Sequence, residues 1–181
     1  MKIITIDPGK SGAICEFEYE LDENKRIKIY NFEIYRLNDK IDETCKTLKE
    51  IVDKNRNLLS NNEARIFLEK VHSMPHDGVS SSFNFGVSLG IIIGSLETLG
   101  VKCGFVYPGP WQKAIIDLLN LNREKLKMMK KFQKKKEMCY AISTLANKLG
   151  LDVSKLDIKT SDTLGMVFYV LKKEGWNYAG I

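Results

Sequence analysis

Three consecutive segments, KIITID (2–7), GAICEFEYE (12–20) and RIKIYNFEIYRL (26–37), alternate apolar and polar residues and are joined by connections too short to hold a helix. A period of two is the signature of a strand with one buried face. Parallel neighbours need a crossover of about a dozen residues, so these three strands must run antiparallel. The chain therefore begins as a three-stranded meander, which rules out an all-helical fold and a purely parallel sheet.

The remaining order follows from changes of period. The stretch 38–59, NDKIDETCKTLKEIVDKNRNLL, places Ile41, Cys45, Leu48, Ile51 and Val52 on one helical stripe, with Asn38 or Asp39 as the expected cap. RIFLEKV (65–71) reads as a fourth strand. SSSFNFGVSLGIIIGSLETLG (80–100) reads as a helix capped by a serine and stopped by Gly100, and KCGFVYP (102–108) as a fifth strand. Helices are expected from Trp111 to Leu121, through a lysine-rich segment to Leu149, and from Ser161 to Lys173. The predicted class is α/β, a mixed five-stranded sheet with helices on both faces, formed as one domain over residues 1–181.

With 44% hydrophobic side chains the chain can bury one substantial core. Its longest apolar stretch, residues 90–100, is shorter than the ~20 residues of a membrane span, and no cleavable signal is read at the amino terminus. A cytoplasmic protein is expected, with no membrane partner. Cys15, Cys45, Cys103 and Cys139 form no CxxC pair and read as reduced, mostly buried thiols.

Charge is segregated. Residues 123–136 carry eight basic side chains against one acid, or +7, while the whole chain carries +5. A stripe of that density attracts polyanions. Lys125, Lys127, Lys130, Lys131 and Lys134 are the expected DNA contacts, with Met128, Phe132, Cys139, Ile142, Ala146 and Leu149 as the core-facing row of the same helix.

Two carboxylates stand where apolar strands end. Asp7 is followed by Pro8, Gly9 and Gly12, which by itself reads as an Asx turn. Glu69 closes RIFLE, a strand expected to be central, where an unpaired carboxylate is costly. A lone Asp162 at a helix start would interact with the helix dipole.

Taken in order, IDPGKSG, FLEKVH, PWQK and SDTLGMVFYVL resemble the RuvC-type Holliday-junction resolvases, in particular their phage forms, over nearly the whole chain. The resemblance implies a ribonuclease H-like fold in which Asp7, Glu69 and Asp162 hold two Mg2+ ions, with Mn2+ able to substitute. Two cations ~3.5–4 Å apart can activate water, neutralise the phosphate and stabilise the leaving oxygen. Relatives carry an Asp or His where Lys159 stands here, so Asp157 becomes the candidate fourth ligand and Lys159 a candidate phosphate contact. Lys113 matches a lysine that reaches the active site in the family.

Other features are weaker. His72 and His76 are candidate phosphate contacts or supports for a ligand, and Phe83 or Phe85 a candidate base-stacking or junction-wedging residue, with packing or loop structure as the competing account of each. Gly86, Gly90 and Gly94 recur every four residues, a pattern that fits close approach either of the protein's own sheet or, as the family implies, of a second copy in a homodimer. The implied activity is endonucleolytic cleavage of four-way DNA junctions, leaving 5′-phosphate and 3′-hydroxyl ends. The alternatives are a less selective branched-DNA or flap nuclease, a ribonuclease H, and a non-catalytic junction-binding protein.

Overall fold

A computed structural model describes residues 1–9, 12–38, 40–70 and 78–176. Five strands, β1 (Lys2–Asp7), β2 (Ala13–Leu21), β3 (Ile27–Arg36), β4 (Ala64–Glu69) and β5 (Cys103–Val106), form one sheet in the order β3-β2-β1-β4-β5. The first three are antiparallel, as the short connections require, and β4 and β5 run parallel to β1. Seven helices are described: α1 (Ile41–Lys54), α2 (Arg56–Ser60), α3 (Val79–Thr98), α4 (Pro108–Leu118), α5 (Arg123–Met128), α6 (Lys131–Lys148) and α7 (Ser161–Lys173).

Strand alternation assigns the two faces. Ile4, Ile6, Ile66 and Leu68 point to one side, where α1 and α3 cover them with Leu48, Ile51, Val52, Ile92 and Leu96. Ile3, Phe17 and Val106 point to the other, against Trp111 and Ile115 of α4, Met138 and Ile142 of α6, and Leu164 and Phe168 of α7. Gly165 permits this second layer. A Cβ there would stand 2.9 Å from both Ile142 Cδ1 and Trp111 Cζ3, so α7 could not lie so close to α4 and α6 with any larger residue.

Several expectations are corrected. The helix predicted over 38–59 divides at Asn55, whose buried side chain accepts from Lys2 Nζ at 2.8 Å and donates to Glu16 Oε1 at 2.6 Å. The cap of α1 is Lys40 rather than Asn38 or Asp39; Asn38 Oδ1 instead accepts from the Lys40 N–H at 2.9 Å, and Asp39 lies outside the described residues. The cap of α3 is Gly78, not a serine. The lysine-rich helix is two helices, because Met129 and Lys130 adopt extended backbone angles. That break puts α5 out of phase with α6. Met128 and Phe132, expected in the core row, are 90% and 60% exposed, whereas Ile142 and Ala146 are fully buried as expected. All four cysteines are free; Cys15 is buried and the other three are partly buried. No helix among the described residues is long and apolar enough to cross a membrane.

Candidate active site

Strand parity explains why Asp7 and Glu69 project to one side of the sheet, toward the start of α7. Asp7 shares its face with Ile3 and Thr5, and Thr5 Oγ1 donates to the Thr163 carbonyl at 2.8 Å, which ties β1 to the first turn of α7 beside Asp162. Ile6 pairs with Leu68, so Asp7 and Glu69 are the next residues on adjacent parallel strands and project to the same side. The turn after Asp7 depends on Gly12, because a Cβ there would fall 2.0 Å from the Asp7 carbonyl oxygen.

Each carboxylate has a specific partner. Asp7 Oδ1 accepts from the Gly9 N–H at 3.1 Å. Glu69 is buried, and its Oε1 accepts from Trp111 Nε1 at 2.7 Å. Trp111 is thus both a core residue and the group that aims Glu69. Asp162 Oδ2 lies 3.2 Å from the ammonium of Lys135 on α6. Glu69 pairs with neither basic neighbour in sequence: Arg65 bonds Glu174, and the Lys70 ammonium lies over the Phe105 and Tyr107 rings.

The electrostatics of the three are coupled. Burial pushes Glu69 up to about 8, and the charges of Asp7 and Asp162 add to the rise, against the Trp111 hydrogen bond and Lys135. Burial likewise raises Asp7, helped by Asp162 and opposed by the Gly9 N–H and Lys135. Burial raises Asp162 against the pull of Lys135. Burial alone would lower Lys135, but the Asp162 carboxylate, with Asp7 and Glu69 behind it, holds it above its ordinary value.

Among the described residues three acids face one ammonium, so positive charge is short. Hard oxygen donors on strand ends and a helix start suit a divalent cation such as Mg2+ or Mn2+. Among the described residues no group of three or more His, Cys, Asp or Glu side chains is placed so that it could hold a metal ion as it stands. The acids instead face one another at Coulombic range, with the Lys135 ammonium among them.

Glu69 and Asp162 open into a cavity of about 700 Å³ that is also lined by Tyr107, Gln112, Lys131, Lys134 and Lys135. Of the expected basic contacts, Lys131 and Lys134 line this cavity. Lys125 pairs with Glu137 and Lys127 with Glu124, and Lys130 caps α6. Lys113 lines a different depression, with Asp117, Tyr169 and Lys172, and Lys135 is the lysine at the acids. The sequence carried a signal for it: Lys135 lies three and seven residues before Met138 and Ile142, on the buried stripe of α6.

Asp157 is not brought to the cluster. Its carboxylate accepts from the Lys159 and Thr160 N–H groups at 2.8 and 3.0 Å and pairs with Arg36 at 2.8 Å. Partial burial would raise it, but these bonds outweigh that and lower it. It brackets the turn that leads into α7. Lys159 is exposed on that turn. His72 and His76 lie outside the described residues.

Phe83 is 70% exposed on α3. Among the described residues nothing stands within 4 Å of a Cβ built at Gly86, Gly90 or Gly94, so the protein's own sheet does not occupy that glycine face.

No family model matches the chain, and no curated protein matches it. Solved structures do. Thermus thermophilus RuvC in complex with a Holliday junction substrate superposes with a TM-score of 0.60 at 12% identity, covering 97% of this chain and 96% of that one. A second Thermus thermophilus RuvC structure gives 0.56 at 15% identity, covering 97% and 98%. The chain has the ribonuclease H-like fold of RuvC. The sheet order, the antiparallel meander followed by two parallel strands, and the helices on both faces are all features of that fold.

Proposed function

We propose that the protein is a homodimeric, divalent-metal-dependent endonuclease that cuts branched DNA, with the four-way junction as its substrate. The observation that carries this reading is that Asp7, Glu69 and Asp162, from three distant parts of the chain, lie within Coulombic range of one another, with Lys135 paired to Asp162 and with Glu69 and Asp162 lining a cavity edged by Lys131 and Lys134. The RuvC fold supports it, since one RuvC structure holds a Holliday junction substrate.

Asp7, Glu69 and Asp162 would hold two Mg2+ or Mn2+ ions. When bound, these supply charge neutralisation of the phosphate, activation of the attacking water and stabilisation of the leaving oxygen. The protein supplies position. Trp111 fixes Glu69, the Gly9 N–H fixes Asp7, and the Thr5 bond to Thr163 fixes the start of α7. Lys131 and Lys134 attract the DNA backbone to the cavity that Glu69 and Asp162 line. In-line attack by water, with no covalent intermediate, would leave 5′-phosphate and 3′-hydroxyl ends. The open glycine face of α3, with Val79, Phe83 and Val87 exposed around it, is the proposed surface for the second copy, and twofold symmetry would suit a four-way junction.

The test sets four-way, three-way, flap and RNA/DNA hybrid substrates side by side with Mg2+ or Mn2+. Paired symmetrical nicks on the four-way junction, lost in Asp7→Asn, support resolution. Equal cutting of flaps or hybrids would make the protein a less selective nuclease or a ribonuclease H. Junction binding with no cleavage under either metal would make it a binding protein and defeat the proposal.

A further inference from the structure

The arrangement of Lys135 bears on when the carboxylate cluster can accept cations. Its ammonium makes one direct ion pair, at 3.2 Å to Asp162, yet its charge also acts on Asp7 and Glu69. It is therefore the positive charge of the cluster itself. The side chain is 41% exposed while that of Asp162 is 16% exposed, so the lysine reaches inward from the solvent side. It stands on the second turn of α6, on the same cavity wall as Lys131 and Lys134. A lysine stem is flexible and its ammonium has no fixed fork geometry, so it can exchange one anion for another by rotating its own bonds. A divalent cation bound by Asp162 would stand next to that ammonium, and like charges at such range repel strongly in a partly desolvated pocket. A phosphodiester at the cavity mouth is the competing anion.

Resting on the reading that the three acids hold the cations, we propose that Lys135 is an exchangeable counter-ion. Its ammonium occupies the cluster before DNA arrives, and its transfer to an incoming phosphate opens the cluster to Mg2+ or Mn2+. The nuclease is thereby held weak for metal until a phosphodiester enters the cavity.

The experiment measures Mn2+ binding to the intact, DNA-free protein by electron paramagnetic resonance of the free ion, for wild type, Lys135→Met and Lys135→Arg. Loss of a unit positive charge beside the carboxylates should tighten Mn2+ binding by about tenfold or more in Lys135→Met, while Lys135→Arg stays near wild type. In cleavage of a four-way junction, wild type should need less Mn2+ for half-saturation than its DNA-free affinity implies. In Lys135→Met the two values should agree, and the maximal rate should fall. Matching thermal unfolding midpoints check that the variants fold; Lys135→Gln serves if Lys135→Met does not. Unchanged or weaker Mn2+ binding in the uncharged variant overturns the exchange. Absence of Mn2+ binding to all of the proteins, with or without DNA, overturns the metal reading itself and the exchange along with it.

Discussion

Glutamine at position 69 should make the metal-free protein more stable while abolishing its activity. Glu69 is 6% exposed, and its carboxyl is pushed from 4.5 up to about 8 by burial and by the charges of Asp7 and Asp162. A group whose folded value is raised binds protons more readily folded than unfolded. Its contribution to stability is thus full below the unfolded value and is lost as pH rises from about 4.5 through 8. At 1.36 kcal/mol per unit the ceiling on that loss is about 5 kcal/mol. Asp7 and Asp162 are raised as well and share protons with Glu69, so removing one charge relieves only part of the strain, ~2 kcal/mol at pH 9. Glutamine keeps the Oε1 acceptor for Trp111 Nε1, so the substitution removes charge and preserves the hydrogen bond.

The assay is urea unfolding in EDTA at intervals from pH 4 to 9. The two proteins should be equally stable near pH 4, and the variant should pull ahead as pH rises. Added Mg2+ should stabilise wild type and leave Glu69→Gln nearly unmoved, since a cation supplies the missing charge only where the carboxylates remain. Equal stability at pH 9 in EDTA, or parallel pH profiles, would refute the claim that these acids are gathered without sufficient positive charge.

Other substitutions separate the site from its scaffold. Asp157→Ala should cost about 1–2 kcal/mol through loss of the bracket on Lys159 and Thr160, yet keep junction cleavage within about threefold of wild type. The stability gap should close in acid, because a carboxyl with a lowered value contributes above its unfolded value and loses that contribution as pH falls. Gly165→Ala should cost about 1–3 kcal/mol, read by thermal unfolding, because its Cβ meets Trp111 and Ile142; cleavage should fall too, since Trp111 aims Glu69. Gly90→Ala should stabilise the monomer by about 0.8–1 kcal/mol and weaken self-association, measured by sedimentation, since its methyl group meets nothing within the described chain.

The fold was legible because its instructions are local and repeated. Alternation in the first 36 residues dictates a meander, and the same parity places Asp7 with Thr5 and Glu69 with Phe67 on the face covered by α7. Asp162 is singled out by the SDTLGMVFYVL motif and the resemblance it carries, since its place at the start of an apolar helix by itself suggests only a dipole contact. What stayed hidden depends on distant partners or on a break without a breaker. Asn55 ends α1 only because Lys2 and Glu16, remote in sequence, claim its amide. Met129 and Lys130 interrupt the lysine-rich segment with neither Pro nor Gly, so a single helical phase from 123 to 149 gave Met128 the wrong face; Phe132 lies beyond the break, on the exposed first turn of α6 under the Lys136 ammonium.

Lys135 shows how a run of cations conceals a lysine that faces the interior. Counted with its neighbours, it is one cation in a solvated stripe. Counted backwards from Met138, Ile142 and Leu145, it continues the buried face of α6 past the point where apolar residues stop, and an ammonium there must find an anion in the interior. Among the described residues it finds Asp162, with the charges of Asp7 and Glu69 behind it. A charged residue prolonging an apolar stripe thus marks a helix that shares a pocket with an interior anion, and here it separates Lys135 from Lys113, which lines another depression with Lys172.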